Sequence, residues 1–86
     1  MKKAKRKTKS PRSPGAVDEY IGARMRETRR ALSMTQESLG ELLGVTFQQV
    51  QKYEKGSNRV SAARLFDICK VLNVSLSSMF ERDPTA

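Results

Sequence analysis

The 86 residues carry 17 basic and nine acidic side chains, a formal net charge of +8, with one Cys, no His and no Trp. A chain this short is one domain and buries only about 60% of the surface its unfolded form exposes, so binding is a better expectation than a deep catalytic cleft. One Cys without His excludes an internal disulfide and any ordinary zinc site.

In chain order, the positive charge comes first. Lys2, Lys3, Lys5, Arg6, Lys7, Lys9 and Arg12 precede Val17 with no acid among them. Together with Ser10-Pro11-Arg12-Ser13-Pro14-Gly15 they leave nothing apolar to bury, which predicts a disordered basic arm over residues 1–16. Such an arm solubilises the chain, releases counterions from phosphate or, as a third reading, acts as a nuclear-import signal. No run approaches the roughly 20 apolar residues of a membrane span, and Met1 to Lys9 lacks the apolar middle of a signal peptide. The expected location is cytoplasmic.

Residues 17–80 read as five short helices. From Tyr20, Ile21, Met25 and Leu32 recur at helical spacing. Thr35 opens a second helix over 36–43, with Leu39, Leu42 and Leu43 periodic and Gly44 as its stop. Thr46 opens a third over 47–55, with Val50 and Tyr53 inward and Gly56 ending it. Leu65, Ile68, Cys69 and Leu72 give a fourth after Ser61, where Cys69 reads as a small buried hydrophobe. Met79 and Phe80 mark a short fifth after Ser75, followed by a polar tail over 81–86. Thr46 and Gln49 form a capping-box pair, and Met34 with Leu39, Val45 with Val50, Val60 with Leu65 and Val74 with Met79 all have hydrophobic-staple spacing.

The second and third helices are separated only by Gly44, Val45 and Thr46, the spacing of a helix-turn-helix whose second helix lies in the DNA major groove. Gly40 leaves room for the close approach this needs. With Val45, Val50 and Tyr53 facing the body, Phe47, Gln48, Gln51, Lys52 and Lys55 face outward. Gln pairs bidentately with adenine, Lys reaches guanine, and an exposed aromatic touches the thymine methyl. Gln36 at the start of the second helix, and Ser57, Asn58 and Arg59 after the third, are placed to hold phosphates.

Thr35-Gln36-Glu37-Ser38-Leu39-Gly40 and Gly44-Val45-Thr46-Phe47-Gln48-Gln49-Val50-Gln51-Lys52-Tyr53-Glu54-Lys55-Gly56 resemble the helix-turn-helix family of phage Cro and repressor proteins, also called the xenobiotic-response-element type. The likeness covers about residues 20–80, and Phe47 to Val60 resembles especially the short regulators of alphaproteobacteria. It implies an all-α, five-helix, lambda-repressor-like domain that binds operator DNA as a homodimer and controls transcription as a repressor. By position, Gln36 matches a Gln that contacts phosphate and braces the first base reader. Phe47 stands where relatives carry that polar reader, usually Gln, and Ser33 and Gly40 stand where they carry Gly and Ala. The implied base-reading set is Thr46, Phe47, Gln48, Gln51 and Lys52; the phosphate set is Gln36, Lys55, Ser57, Asn58 and Arg59. Arg29 and Glu54 match an ion pair between the first and third helices. Val74, Leu76, Met79 and Phe80 are the expected dimer contact. A basic face of Arg24, Arg26 and Arg30 reads as solvated, with phosphate contact as the lesser alternative.

No His is present to act as a base, and there is no Gly-x-Ser-x-Gly elbow or phosphate-cradling glycine loop, so an enzyme is not expected. No cofactor, metal or small-molecule site is legible; double-stranded DNA is the expected partner. A protein-interaction module, such as the antitoxin of a toxin–antitoxin pair, is the alternative use of the same fold.

Overall fold

The computed structural model describes residues 15–81. Hydroxyl side chains start most of its helices. Gly15, Thr35, Thr46 and Ser61 are the N-caps of α1 (Ala16–Ala31), α2 (Gln36–Leu43), α3 (Phe47–Lys55) and α4 (Ala62–Leu72). The three hydroxyls accept the N–H groups of Ser38, Gln49 and Arg64 at 3.0, 3.2 and 3.0 Å, satisfying donors that a helix N-terminus otherwise leaves bare. At the other ends Gly44 (φ 77°) and Gly56 (φ 76°) take the left-handed conformation, as does Asn73 after α4. Among the described residues there is no strand.

The core takes Ile21 and Met25 from α1, Leu39 and Leu43 from α2, Val50 from α3, and Leu65, Ile68, Cys69 and Leu72 from α4, with Met79 beyond it. Met34, Val45, Val60 and Val74, the residue before each hydroxyl cap, pack against this cluster, while Leu39, Val50, Leu65 and Met79 lie inside it. Each staple therefore anchors the entry to its helix by burying apolar surface.

Five expectations need correction. The fifth helix is a 3-10 helix, Leu76–Phe80, because Ser75 and Ser78 satisfy each other locally: the Ser75 hydroxyl accepts the Ser78 N–H at 3.2 Å and the Ser78 hydroxyl donates to the Ser75 carbonyl at 2.7 Å. α1 begins at Ala16, inside the span read as arm, because the Gly15 N–H donates to Asp18 Oδ2 at 2.7 Å and fixes the first turn. Leu32 is exposed because it lies one residue past the end of α1. Leu42 is exposed because α2 buries Leu39, Gly40 and Leu43, and a residue two positions from Gly40 is carried about 200° round the helix. Met79 is 0% exposed, in the core rather than at a dimer surface; a 3-10 helix turns about 120° per residue, so Phe80, one position on, is carried away from the core and is 44% exposed, while Leu76, the first residue of the helix, is 48% exposed. The rest of the expected arm, residues 1–14, and residues 82–86 of the tail lie outside the described residues.

Candidate nucleic-acid interface

α3 is held by what lies under it. Gly22 of α1 faces its C-terminal end: a Cβ there would collide with the Tyr53 carbonyl oxygen and stand 2.6 Å from that of Glu54. The two helices thus approach at a distance only glycine allows. Gly40 makes the matching contact on α2, where a Cβ would lie 2.7 Å from the carbonyl oxygen of Val45. The Val45 N–H in turn donates to the Gly40 carbonyl at 2.9 Å, so the corner between α2 and α3 is closed by backbone.

Beneath α3 lies a polar lock. Arg29 of α1 grips Glu54 bidentately, Nε to Oε2 at 2.7 Å and Nη2 to Oε1 at 3.0 Å, with side-chain exposures of 9% and 2%. The Gln36 amide donates to the same Oε1 at 3.0 Å, and Arg29 Nη1 donates to the Met34 carbonyl at 2.7 Å. Burying two charges is expensive unless their hydrogen-bonding capacity is used. Here the carboxylate accepts from two helices and the guanidinium also secures the loop before α2. The result joins α1, α2 and α3 in one network.

Above that lock, Thr46, Gln48, Gln51, Lys52 and Lys55 are exposed and Phe47 is half-buried. Phe47 is outside the core cluster and outside the apolar residues packed against it. Gln48, Gln51 and Lys55 follow at i, i+3 and i+7, one stripe of a helix. Of the phosphate set, Gln36 and Lys55 line a cleft of about 330 Å³ between α1 and α3, together with Gln51, Glu54 and Arg26. Ser57, Asn58 and Arg59 lie elsewhere, after α3. The Ser57 hydroxyl donates to the Lys52 carbonyl at 3.3 Å, and Arg59 Nε approaches Asp18 Oδ2 at 3.4 Å. Val74 packs against the core, leaving Leu76 and Phe80 as the exposed members of the expected dimer set.

Sequence reasoning passes over Gly22 and puts Arg26 on a face read chiefly as solvated, without separating it from Arg24 and Arg30. A signal exists for Arg26: it precedes Arg29 by three residues, which puts it on the side of α1 that meets α3. Arg24, by contrast, points to the C-terminal end, donating to the Ser78 carbonyl at 2.8 Å and pairing with Glu27 at 2.8 Å. Arg64 of α4 donates to the Leu43 carbonyl at 2.9 Å and so closes the end of α2. Among the described residues no cluster of His, Cys, Asp or Glu could hold a metal ion, and no helix is long and apolar enough to cross a membrane.

A family model described as helix-turn-helix matches residues 25–79. The chain is 53% identical over 73 residues to an uncharacterized HTH-type transcriptional regulator of Sinorhizobium medicae (strain WSM419), covering 85% of this chain and 52% of that protein. It is 59% identical over 69 residues to another so named, y4aM of Sinorhizobium fredii (strain NBRC 101917 / NGR234), covering 80% and 48%. The chain therefore spans about half the length of these curated relatives. Among solved structures, the restriction-modification controller protein C.AhdI from Aeromonas hydrophila superimposes with a TM-score of 0.72 at 29% identity, over 77% of this chain and 100% of that one.

Proposed function

The chain belongs to the helix-turn-helix family of xenobiotic-response-element type, DNA-binding regulators of transcription in bacteria, and from that premise we propose that it represses transcription by occupying a palindromic operator as a homodimer. It works as a binding protein in the cytoplasm and not as an enzyme. α3 enters the major groove; Gln48, Gln51 and Lys52 read base edges, with Thr46 and Phe47 at the helix start. Gln36, Lys55, Asn58 and Arg59 hold phosphates, and residues 1–14 form a basic arm ahead of the domain.

The observation that carries this reading is the exposed stripe of α3, amides and ammoniums with no acid among them, on a helix whose only carboxylate is turned inward to Arg29. An ordinary solvated helix face mixes both signs of charge; a face of Gln and Lys matches base edges and phosphates. One domain of this size offers a small surface for specific affinity, so a two-fold dimer on half-sites about one turn, roughly 34 Å, apart is the geometric corollary. Leu76 and Phe80, both exposed on the 3-10 helix, are the apolar residues offered to the second copy.

In vitro selection from randomised duplex DNA at physiological salt, with the full chain, tests the reading. A palindromic consensus is the expected outcome, and its spacing measures the half-site separation. Capture of DNA with no consensus would overturn operator recognition. Sedimentation of a monomer at micromolar concentration, with and without operator, would overturn the dimer.

A further inference from the structure

Of the four arginines on α1, two are engaged. Arg24 is bound to Glu27 and the Ser78 carbonyl, and Arg29 to Glu54 and the Met34 carbonyl. Arg26 and Arg30 are exposed, and among the described residues neither side chain has an ion pair or hydrogen bond. They stand four residues apart on one face, where like charges repel. Arg26 lines the 330 Å³ cleft with Gln36, Gln51, Lys55 and Glu54, and also a second hollow of about 320 Å³ with Arg30, Ala23, Glu27 and Glu54. The acids that line these hollows are already neutralised, Glu54 by Arg29 and Glu27 by Arg24. The first cleft thus presents a guanidinium, an ammonium and two amides around a floor whose negative charge is compensated.

We propose that this cleft seats a phosphate of the DNA backbone, with Arg26 as its principal cation, so that α1 takes part in the nucleic-acid interface beside the helix-turn-helix. The inference rests on the DNA-binding reading above and deepens it. Gln51 and Lys55 belong both to this cleft and to the outward stripe of α3, so a duplex read by α3 brings its backbone alongside Arg26. Arg suits the position because its planar fork spans two phosphate oxygens. The Gln36 amide, fixed by Glu54 through one hydrogen, has its second hydrogen left to donate. Phosphate seats of this kind set register and salt dependence rather than sequence preference.

The test uses the full chain, Arg26→Gln and Arg26→Lys, on a duplex carrying the selected consensus. Binding is measured across a range of salt and by interference from ethylated phosphates. The slope of log K against log salt is expected to be shallower by about 1.8 in Arg26→Gln, about 0.9 for the seat lost from each protomer of the dimer. The preferred sequence should be unchanged, and one phosphate in each half-site whose ethylation blocks the wild type should cease to matter. Arg26→Lys should keep most of the slope. An unchanged slope and an unchanged interference pattern in Arg26→Gln would overturn the proposal. Arg26 is exposed and pairs with none of the described residues, so its variants should melt like the wild type. If the wild type binds duplex without a consensus, the operator reading fails while the slope comparison on any duplex still decides the phosphate seat. A wild type with no affinity for duplex overturns both.

Discussion

Glu54 is the one acid on α3, and its carboxylate accepts three hydrogen bonds from α1 and α2 while showing almost no surface. Removing one partner of such a pair strands a buried charge, which costs about 3–5 kcal/mol. Glu54→Ala is therefore expected to lose that much in urea unfolding. Replacing both partners by apolar residues, Arg29→Met with Glu54→Leu, should recover most of it, since no charge is then left unpaired. That double variant should nevertheless bind operator poorly, because Gln36 loses the oxygen that holds its amide. On the exposed side, Gln48→Ala is expected to cost about 1–3 kcal/mol on the correct operator and to relax preference at one base pair; equal loss on random DNA would show that Gln48 does not read. Phe47 stands at the start of α3 outside the core. Its apolar ring suits the thymine methyl, so replacing the facing thymine by uracil should weaken binding by the wild type and leave Phe47→Ala unaffected. Cys69 belongs to the opposite class: burial raises its thiol pKa, so it should react with a thiol reagent only as the domain unfolds.

The elements follow from caps more than from propensity. α2 and α3 are eight and nine residues long, too short to be stable alone, yet their boundaries are legible as Thr35, Gly44, Thr46 and Gly56, because each residue type satisfies a specific geometric need. Positions fixed by another element are not legible in that way. Gly22 looks like an ordinary weakness in a helix, and only the approach of α3 shows why it stands there. Gly22→Ala gains about 1 kcal/mol in helix propensity, but overpacking against two carbonyls costs about 1–3 kcal/mol, and the carbonyls are backbone. A net loss in thermal or urea stability is expected, with operator affinity reduced through the tilt of α3. Ser33 gives the reverse case. It holds φ 58° at an exposed position after α1, a conformation that costs a side-chain-bearing residue about 1–2 kcal/mol. Ser33→Gly, which the family resemblance also suggests, should stabilise the domain by up to about 1 kcal/mol, part of the relief being offset by glycine's greater unfolded freedom. Periodicity alone likewise misplaces Leu42, since it names apolar residues without saying which of them a neighbouring helix covers. The Arg29 and Glu54 pair, 25 residues apart, is legible only through the resemblance.

At the scale of the whole molecule, charge is divided between two regions with different tasks. Seven of the 17 basic side chains lie before Val17, while the helical domain mixes basic and acidic residues and carries Arg26, Lys52 and Lys55 on or beside α3. If both regions meet DNA, they contribute differently. The arm can neutralise phosphates of any sequence, raising nonspecific affinity and salt dependence together, whereas the domain adds base recognition whose strength depends on the site. Deleting residues 1–14, and sparing Gly15 because its N–H is bound by Asp18, separates the two contributions without disturbing α1. The truncated chain should select the same consensus, bind all duplexes more weakly, and show a shallower dependence on salt, by about 0.9 for each phosphate the arm no longer neutralises. Because removal of the arm weakens specific and nonspecific complexes alike, the ratio of their affinities at fixed salt should barely change. A fall in that ratio would mean that the arm reads sequence, and an unchanged slope would mean that it does not touch the duplex at all.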